Sequence, residues 1–415
     1  MATSIAELII LCLVADVLLR RVAVPGLIGM LLVGVVLGPY VLGYIDDSLL
    51  VIGPDLRVIA LVIILLRAGF ALSRKALHQV GERVLLLAFV PATVEGLVIT
   101  WVAQGLLGLS LMEAALLGFV VAAVSPAVIV PAMLRLMRHG RGGKKEIPTM
   151  ILAASSVDDV YVIVVHSMIL SVYVGLQTNV AWSLAGIPVS LLLGGAAGLG
   201  LGWMLTRLFR RYNPRATKRV LTVIAVAVML LRIEELVAPS IPFAGLIAAM
   251  ALGLMLLEQD EHAAHEISAK LAKIWIFAEI ILFTLVGAQV NIHVAWDTGL
   301  AGVAVIACGL VGRSLATLAC LIRSPLNAAE RSFVVIAFFP KATVQAAIGA
   351  APLLAMAAAG MNTAPGETIL AVSVLSIVLT APLGAWLIRW WGDHALAVDA
   401  PVTEDGGHAD AELLE

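Results

Sequence analysis

Long apolar runs alternate with short polar interruptions from one end of this chain to the other. Most of the runs approach the ~20 residues that an α-helix needs to cross a bilayer. The pattern therefore predicts an all-α polytopic membrane protein with about thirteen transmembrane helices. The predicted spans are 5–20, 22–42, 56–72, 82–107, 111–134, 148–176, 182–206, 219–237, 242–257, 274–292, 296–322, 331–358 and 366–388.

Composition extends this picture to nearly the whole chain. Of 415 residues, 61% are hydrophobic and 13% are charged, against about 45–50% and about 25% in a soluble domain. A mean hydropathy of +1.06 excludes a globular domain on a single anchor. The net charge of -2 and the scattered basic residues indicate no nucleic-acid partner. The three cysteines lie in apolar runs and predict neither a disulfide framework nor a metal site.

Loop charges orient the predicted spans. Basic residues fill the loops after odd-numbered spans and are almost missing after even-numbered ones. The positive-inside rule then places the N-terminus outside and the C-terminus in the cytoplasm, in the inner (plasma) membrane. Glu7 precedes the first run and Arg20 and Arg21 follow it, which is the reverse of a signal peptide and predicts a retained helix. From Asp393 onward the chain reads as a disordered, acidic tail.

A few charged residues lie inside the spans, near the middle of the bilayer. They are Asp158 and Asp159 in the sixth span, Glu95 in the fourth, Arg313 in the eleventh and Lys341 in the twelfth. Each costs roughly 2.5–3.5 kcal/mol to insert. These side chains must therefore pair with one another, line water or bind an ion.

The two adjacent aspartates are the strongest functional signal. Neighbouring carboxylates repel, and one basic partner satisfies only one of them. Ser155 lies one helical turn before Asp159 and shares its face. Because hydroxyl and carboxylate oxygens suit a hard cation, we expect Na⁺ or Li⁺ at Asp158 and Asp159, in competition with protons. Glu95 and Arg313 would be satisfied by a structural ion pair, and the sequence leaves open whether Arg313 faces Glu95 or Asp158.

Prolines interrupt two spans that run in opposite directions. Pro126 and Pro131, after Ser125, interrupt the fifth span. Pro340 interrupts the twelfth, where the polar Lys341, Thr343 and Gln345 follow. A proline inside the membrane frees backbone carbonyls, which then line a cavity or find other partners. Broken helices at corresponding positions predict an inverted repeat of spans four to six and eleven to thirteen, around a central transport site.

Several stretches resemble one family of transporters. RAG at 67–69, AVSPAVIVPAML at 123–134, SSVDD at 155–159, LFTLVGAQV at 282–290 and PKATVQAAIG at 340–349 are similar to the monovalent cation:proton antiporter superfamily. The nearest branch is that of the NHA-type Na⁺/H⁺ exchangers, with NapA-like and NhaA-like bacterial antiporters as relatives. The resemblance extends from the third predicted span to the twelfth.

The resemblance implies a homodimer of the NhaA/NapA-type fold, which uses no cofactor. Asp159 would carry the cation and the proton alternately, and Asp158 would assist it or pair with a basic residue. Arg313 occupies a position where NhaA-like relatives have lysine, and arginine hardly ever deprotonates, which argues against exchange of two protons per cation. Lys341 would neutralise a carboxylate or a helix end. The implied division is 1–80 dimerisation helices, 81–178 first core repeat, 179–212 linker helix, 213–293 dimerisation helices, 294–392 second core repeat and 393–415 cytoplasmic tail.

The function expected from these observations is secondary active exchange of Na⁺ or Li⁺ for protons. The alternative is a Na⁺-coupled symporter of a small organic anion, which shares the fold. We do not expect an enzyme, because an intramembrane aspartyl protease needs its aspartates on separate helices. A passive channel needs a continuous polar path, whereas this sequence has one polar cluster at mid-membrane. The residues do not distinguish K⁺ from the smaller cations.

Overall fold

The computed structural model describes residues 2–21, 24–71, 82–175, 180–237 and 243–398, and the predicted tail from 399 onward lies outside them. The described backbone is helical, with a 3-10 turn at Gly143–Lys145 and an isolated bridge between Arg141 and Val398. The helices in chain order are α1 Ala2–Arg21, α2 Gly26–Leu37, α3 Asp47–Ala71, α4 Glu82–Leu107, α5 Leu111–Ala122, α6 Pro126–Arg138, α7 Ile147–Tyr173, α8 Val180–Tyr212, α9 Ala216–Val237, α10 Gly245–Gln259, α11 Glu261–Ala288, α12 Ile292–Asp297, α13 Gly299–Cys320, α14 Ala328–Ala337, α15 Thr343–Ile348, α16 Ala351–Ala358 and α17 Ala364–Ala395.

The predicted fold class is confirmed. Within the described ranges, eight helical segments are long and apolar enough to cross a membrane, by length and composition alone. The fifth predicted span is split into α5 and α6, and the twelfth is split into α14, α15 and α16. The total number of membrane crossings stays a prediction.

Some helices extend well beyond the apolar runs that predicted them. Helix α11 begins at Glu261, whereas the tenth span was predicted from 274. Its first turns carry charge, but Ala264, Ile267 and Leu271 recur at helical spacing and are buried. Because packing of one apolar face stabilises a helix, the charged first turns are helical and join the apolar part of α11 in one helix. Hydropathy alone finds only the apolar part.

The helices pack in two groups. Helices α1 to α3 contact α9 to α11, α8 packs on α10, and α4 to α7 contact α13 to α17. Contacts between the groups run from α3 and α11 to α15, and from α7 to α3, α8 and α10. The two broken helix pairs and the mid-membrane charges belong to the second group. A role of the first group in dimerisation stays a prediction.

Glycines allow some helices of the first group to touch through their backbones. A methyl group added at Gly287 of α11 would lie 2.1 Å from the Leu31 carbonyl oxygen of α2, and one at Gly34 of α2 would lie 2.1 Å from the Thr284 carbonyl oxygen. Such close approach is how small residues promote helix packing in membranes, where apolar burial contributes little.

The chain's last described residues return to the second group. The sequence predicted a tail from Asp393, but α17 continues to Ala395 and the Asp393 carboxylate accepts a hydrogen bond from Arg135 at 2.8 Å. Arg141 donates to the Asp393 and Leu396 carbonyl oxygens at 2.7 and 2.9 Å. The start predicted for the tail was therefore wrong, because Arg135 of α6 and Arg141 of the α6–α7 loop hold this segment.

Replacing Gly287 by alanine is expected to destabilise the protein by about 1–3 kcal/mol, because the new methyl group overlaps backbone that has nowhere to move. The measurement is the apparent unfolding temperature of the purified protein in detergent. Gly105→Ala is the control, since nothing lies within 4 Å of an added methyl group there. Equal unfolding temperatures for the two variants would show that the α2–α11 contact contributes no stability.

Candidate functional site

The two broken helix pairs cross at their breaks. Residues 123–125 between α5 and α6 are not helical, and neither are residues 339–342 around Pro340, between α14 and α15. The Ser125 amide donates to the Pro340 carbonyl oxygen at 2.8 Å, and the Ser125 and Thr343 hydroxyl oxygens are 3.5 Å apart. Non-helical backbone is tolerated at this depth only when it is buried in protein or lines a cavity. The crossing meets that condition.

The prolines contribute differently to the breaks. Pro126 is the first residue of α6, where its missing N–H costs nothing. Pro131 lies inside α6, and the helix continues to Arg138. The prediction that Pro131 also interrupts the span was wrong, because one lost hydrogen bond to the preceding turn bends a helix without ending it. The break is at 123–125, about two turns before Pro131.

Side chains from α15 and from the α14–α15 break donate hydrogen bonds to the carbonyl groups at the end of α5. The Gln345 amide nitrogen donates to the carbonyl oxygens of Val120, Val121 and Ala123 at 3.1, 3.3 and 2.8 Å. The Lys341 ammonium lies 3.2 Å from the Ala122 carbonyl oxygen. The predicted polar residues of the twelfth span therefore cap the broken helix of the fifth.

A network of buried charges surrounds the crossing. Arg313 of α13 donates to Glu95 of α4 and to Asp158 of α7, both at 2.7 Å. Lys341 donates to the same Glu95 oxygen at 2.7 Å. Glu95, Asp158 and Lys341 are fully buried, and Arg313 is 1% exposed. The sequence left open whether Arg313 faces Glu95 or Asp158. In the structure Arg313 pairs with both.

The two aspartates differ in their surroundings. One Asp158 oxygen accepts from Arg313, and the other accepts from the Val124 amide at 3.0 Å, so both of its oxygens have partners. Asp159 is 3% exposed, and its Oδ1 atom has no hydrogen-bond partner in the part of the chain that the structure describes. Leaving a buried polar atom without a partner is costly. Asp159 is therefore the acid of the pair with room for an added ion or proton.

Hydroxyl groups lie one turn before Asp159. Ser155 and Ser156 are buried and both donate to the Leu152 carbonyl oxygen, at 3.1 and 2.9 Å. Their oxygens keep lone pairs that a cation could use. The structure places Ser155 on the Asp159 helix as predicted, but gives no direct contact between the two side chains. Its part in ion binding stays a prediction.

Some site residues were not identified from the sequence. The hydroxyl of Thr380 in α17 accepts from the Lys341 amide at 2.9 Å and so holds the break in place. Ser373, Ser376 and Thr380 recur at helical spacing in an apolar span and are all buried. That spacing was the available signal. The Val124 amide and Ala122 carbonyl groups have no signal of their own, because they are backbone.

The donor set suits a hard cation. Within the described ranges no group of three His, Cys, Asp or Glu residues is placed to hold a metal ion. The site instead offers carboxylate and hydroxyl oxygens next to fixed positive charges, where a single ionic charge can be accommodated. Binding of Na⁺ or Li⁺ at Asp158 and Asp159 stays a prediction.

Comparisons with known proteins agree with this geometry. The model of the family described as "Sodium/hydrogen exchanger, transmembrane" matches residues 8–391. Sodium/hydrogen exchanger 9B2 of Mus musculus is 34% identical over 389 residues, covering 92% of this chain and 70% of the mouse protein. Its counterpart in Homo sapiens is 32% identical over 379 residues, covering 90% of this chain and 70% of the human protein.

A solved structure shares the fold. The sodium proton antiporter MjNhaP1 from Methanocaldococcus jannaschii, at pH 8, is similar with a TM-score of 0.83 and 21% identity, covering 94% of this chain and 96% of that one. Together with the match over residues 8–391, these similarities lead to one conclusion. The chain belongs to the sodium/hydrogen exchanger family.

Proposed function

We propose that this protein exchanges Na⁺ or Li⁺ for protons at Asp159 by alternating access. The observation that carries the proposal is the buried Oδ1 atom of Asp159, which has no partner among the described residues although Asp158 beside it is fully satisfied. A carboxylate in this position gains by binding either a proton or a dehydrated cation. Family membership supports the same reaction.

Competition for one carboxylate couples the two fluxes. Asp159 holds a proton or a cation, and in either loaded state its charge is neutralised. An empty site would carry an uncompensated charge through the low-dielectric interior, which is costly. The second helix group moves the site across the membrane only when it is loaded, so each cation that leaves is replaced by a proton.

The charges of the network favour exchange of one cation for one proton. Glu95, Asp158 and Asp159 are three acids, and Arg313 and Lys341 are two bases, so one negative charge remains when all are ionised. Lys341 is held by Glu95, and Arg313 is held by Glu95 and Asp158. One proton or one monovalent cation restores neutrality. The movement then carries no net charge in either direction.

The other functional expectations fit this proposal. Exchange with protons replaces the organic-anion symporter considered from the sequence, because the family and its relatives are named as exchangers. We place the protein in the inner membrane with its N-terminus outside, from the loop charges.

We also propose a homodimer. Helix α1 exposes Ile10, Val14 and Val17, which lipid or a second copy would cover.

Replacing Asp159 by asparagine is expected to abolish exchange, because the amide binds neither a proton nor a cation with a compensating charge. In everted vesicles that carry a pH-sensitive quenching dye, addition of Na⁺ or Li⁺ should cause dequenching with the wild type. Asp159→Asn should give the signal of vesicles without the protein. K⁺ is added in a separate trial to rank the ions.

Asp297→Asn is the matched control, because Asp297 is an exposed aspartate at the end of α12. It should exchange at the wild-type rate. If properly folded wild type gives no dequenching with any of the three cations between mildly acidic and alkaline pH, the proposed function is wrong. Wild-type activity retained by Asp159→Asn would leave exchange intact but remove Asp159 from it.

The one-for-one stoichiometry makes exchange independent of membrane potential. In proteoliposomes with a thiocyanate diffusion potential of either sign, the initial rate of Na⁺-dependent proton flux should stay the same. Movement of one net charge would be driven by about 2.3 kcal/mol per 100 mV. A rate that changes with the sign of the potential would therefore disprove the proposal that the loaded site carries no net charge.

Lys341 and Glu95 have a structural role in this proposal. Lys341→Gln leaves Glu95 with one of its two cationic partners, and breaking a buried pair costs about 3–5 kcal/mol. The apparent unfolding temperature should fall clearly. Glu266→Gln is the control, because its pair with Arg219 is 3.4 Å long and Glu266 is 43% exposed, so that loss costs less than about 1 kcal/mol.

The double variant Glu95→Gln with Lys341→Gln distinguishes a structural role of these two residues from a role in transport. It removes one charge of each sign, so the net charge of the site is unchanged, and Arg313 keeps Asp158. Stability should recover part of the loss of the single variant, and exchange should continue. A double variant that folds but has no exchange activity would assign Glu95 or Lys341 to the transport reaction itself.

A further inference from the structure

Arg57 of α3 is a buried cation outside the network described above. It is 4% exposed and donates through Nη1 to the Gln289 side-chain oxygen at 2.7 Å. Its Nη2 atom has no partner, and no carboxylate pairs with it, among the residues that the structure describes. The neutral amide of Gln289 does not compensate the positive charge.

A structural explanation for Arg57 is weak. A charge inside the membrane costs roughly 2.5–3.5 kcal/mol, and it is normally offset by an opposite charge or by water. Arg313 shows how this chain satisfies a buried arginine, with a carboxylate on each side. Arg57 instead donates one hydrogen bond to a neutral group. A polar or apolar residue would hold the α3–α11 contact at lower cost.

The position of Arg57 connects it with the transport path. Leu61 and Leu65 lie one and two turns further along the same face of α3, and they share an apolar cluster with Val160 of α7 and Val344 of α15. Val160 follows Asp159, and Val344 follows Thr343. Arg57 therefore lies about one turn, roughly 6 Å, before Leu61, toward the start of α3, and α3 contacts both α7 and α15. In the proposed orientation that is the outer side.

Polar groups continue from Arg57 toward the outer ends of the helices. Gln289 ends α11, and two residues later the Asn291 amide donates to the Glu367 carboxylate of α17 at 2.9 Å. Arg57 and Gln289 belong to the first helix group, and Glu367 belongs to the second. This polar seam follows the boundary between the two groups, which is where an outer path to Asp159 would open when the second group moves.

We propose that Arg57 is a fixed positive charge on the outer path that weakens cation binding to Asp159 from outside and so promotes release of the extruded cation. The inference rests on the proposed exchange and on the proposed orientation. Two like charges about 10 Å apart repel each other by enough to lower affinity roughly twofold to tenfold, depending on how much water lies between them.

The effect is expected on one side of the membrane only. Arg57 belongs to the first helix group, whereas Asp159 moves with the second. When the site faces the cytoplasm it has moved away from Arg57, and the repulsion falls with distance and screening. A cation is therefore bound more tightly where it enters than where it leaves. This is an advantage for extrusion against a gradient.

The test measures the apparent KM for Na⁺ on each side at alkaline pH, where protons compete least. Right-side-out vesicles report the outer face, and everted vesicles report the cytoplasmic face. Arg57→Gln should lower the outer KM about threefold and leave the cytoplasmic KM unchanged. Gln289→Glu should do the same with Arg57 still present, because the new carboxylate neutralises it. Arg57→Lys retains the charge and should keep the wild-type outer KM.

A purely structural Arg57 would behave differently. Arg57→Gln and Arg57→Lys would then lower the maximal rate or the unfolding temperature together, with equal outer KM values, and Gln289→Glu would have no effect on KM. Equal changes of KM on both faces would also overturn the inference. In these outcomes wild-type exchange persists, whereas loss of the proposed function would appear as missing Na⁺-dependent flux in the wild type.

Discussion

The hydrogen bonds of Arg313 to Glu95 and Asp158, each 2.7 Å long, are the interaction on which the rest of the site depends. Charges in the middle of a membrane protein are costly, and opposite charges or water normally offset them. Arg313 joins α4, α7 and α13 in one contact, and it also reaches the carbonyl end of the broken α5 through Ala122. Removing this guanidinium would leave Asp158 without its charged partner, and would leave Glu95 and the Ala122 carbonyl group with Lys341 alone.

Within this network the two neighbouring aspartates have different roles. Asp158 is fully occupied by Arg313 and by the Val124 amide, so it is part of the framework that holds the helix break. Asp159 points to a different side of α7 and keeps an oxygen atom free of protein partners, within the described residues. Adjacent residues of a helix are about 100° apart, and that rotation gives two identical side chains opposite roles.

Much of this arrangement could be predicted from the pattern of residues. Membrane spans follow from apolar length, and the functional importance of Asp158, Asp159, Arg313 and Lys341 follows from the cost of charge at mid-membrane. The breaks follow from proline, with an error at Pro131, which the helix accommodates. Such signals are readable because each depends on one residue and its depth in the membrane, and not on which other helix lies beside it.

The sequence by itself determined that this is a helical membrane protein with an acidic pair, basic residues and two broken helices at one depth. Only the tertiary structure decided which charges pair, that Asp159 and not Asp158 keeps a free oxygen, and that Arg57 has a neutral partner. The physical reason is range. Burial and backbone preference act along the chain, whereas ion pairing needs atoms within about 3 Å. Residues 95, 158, 313 and 341 reach that distance only after four separate segments have packed together.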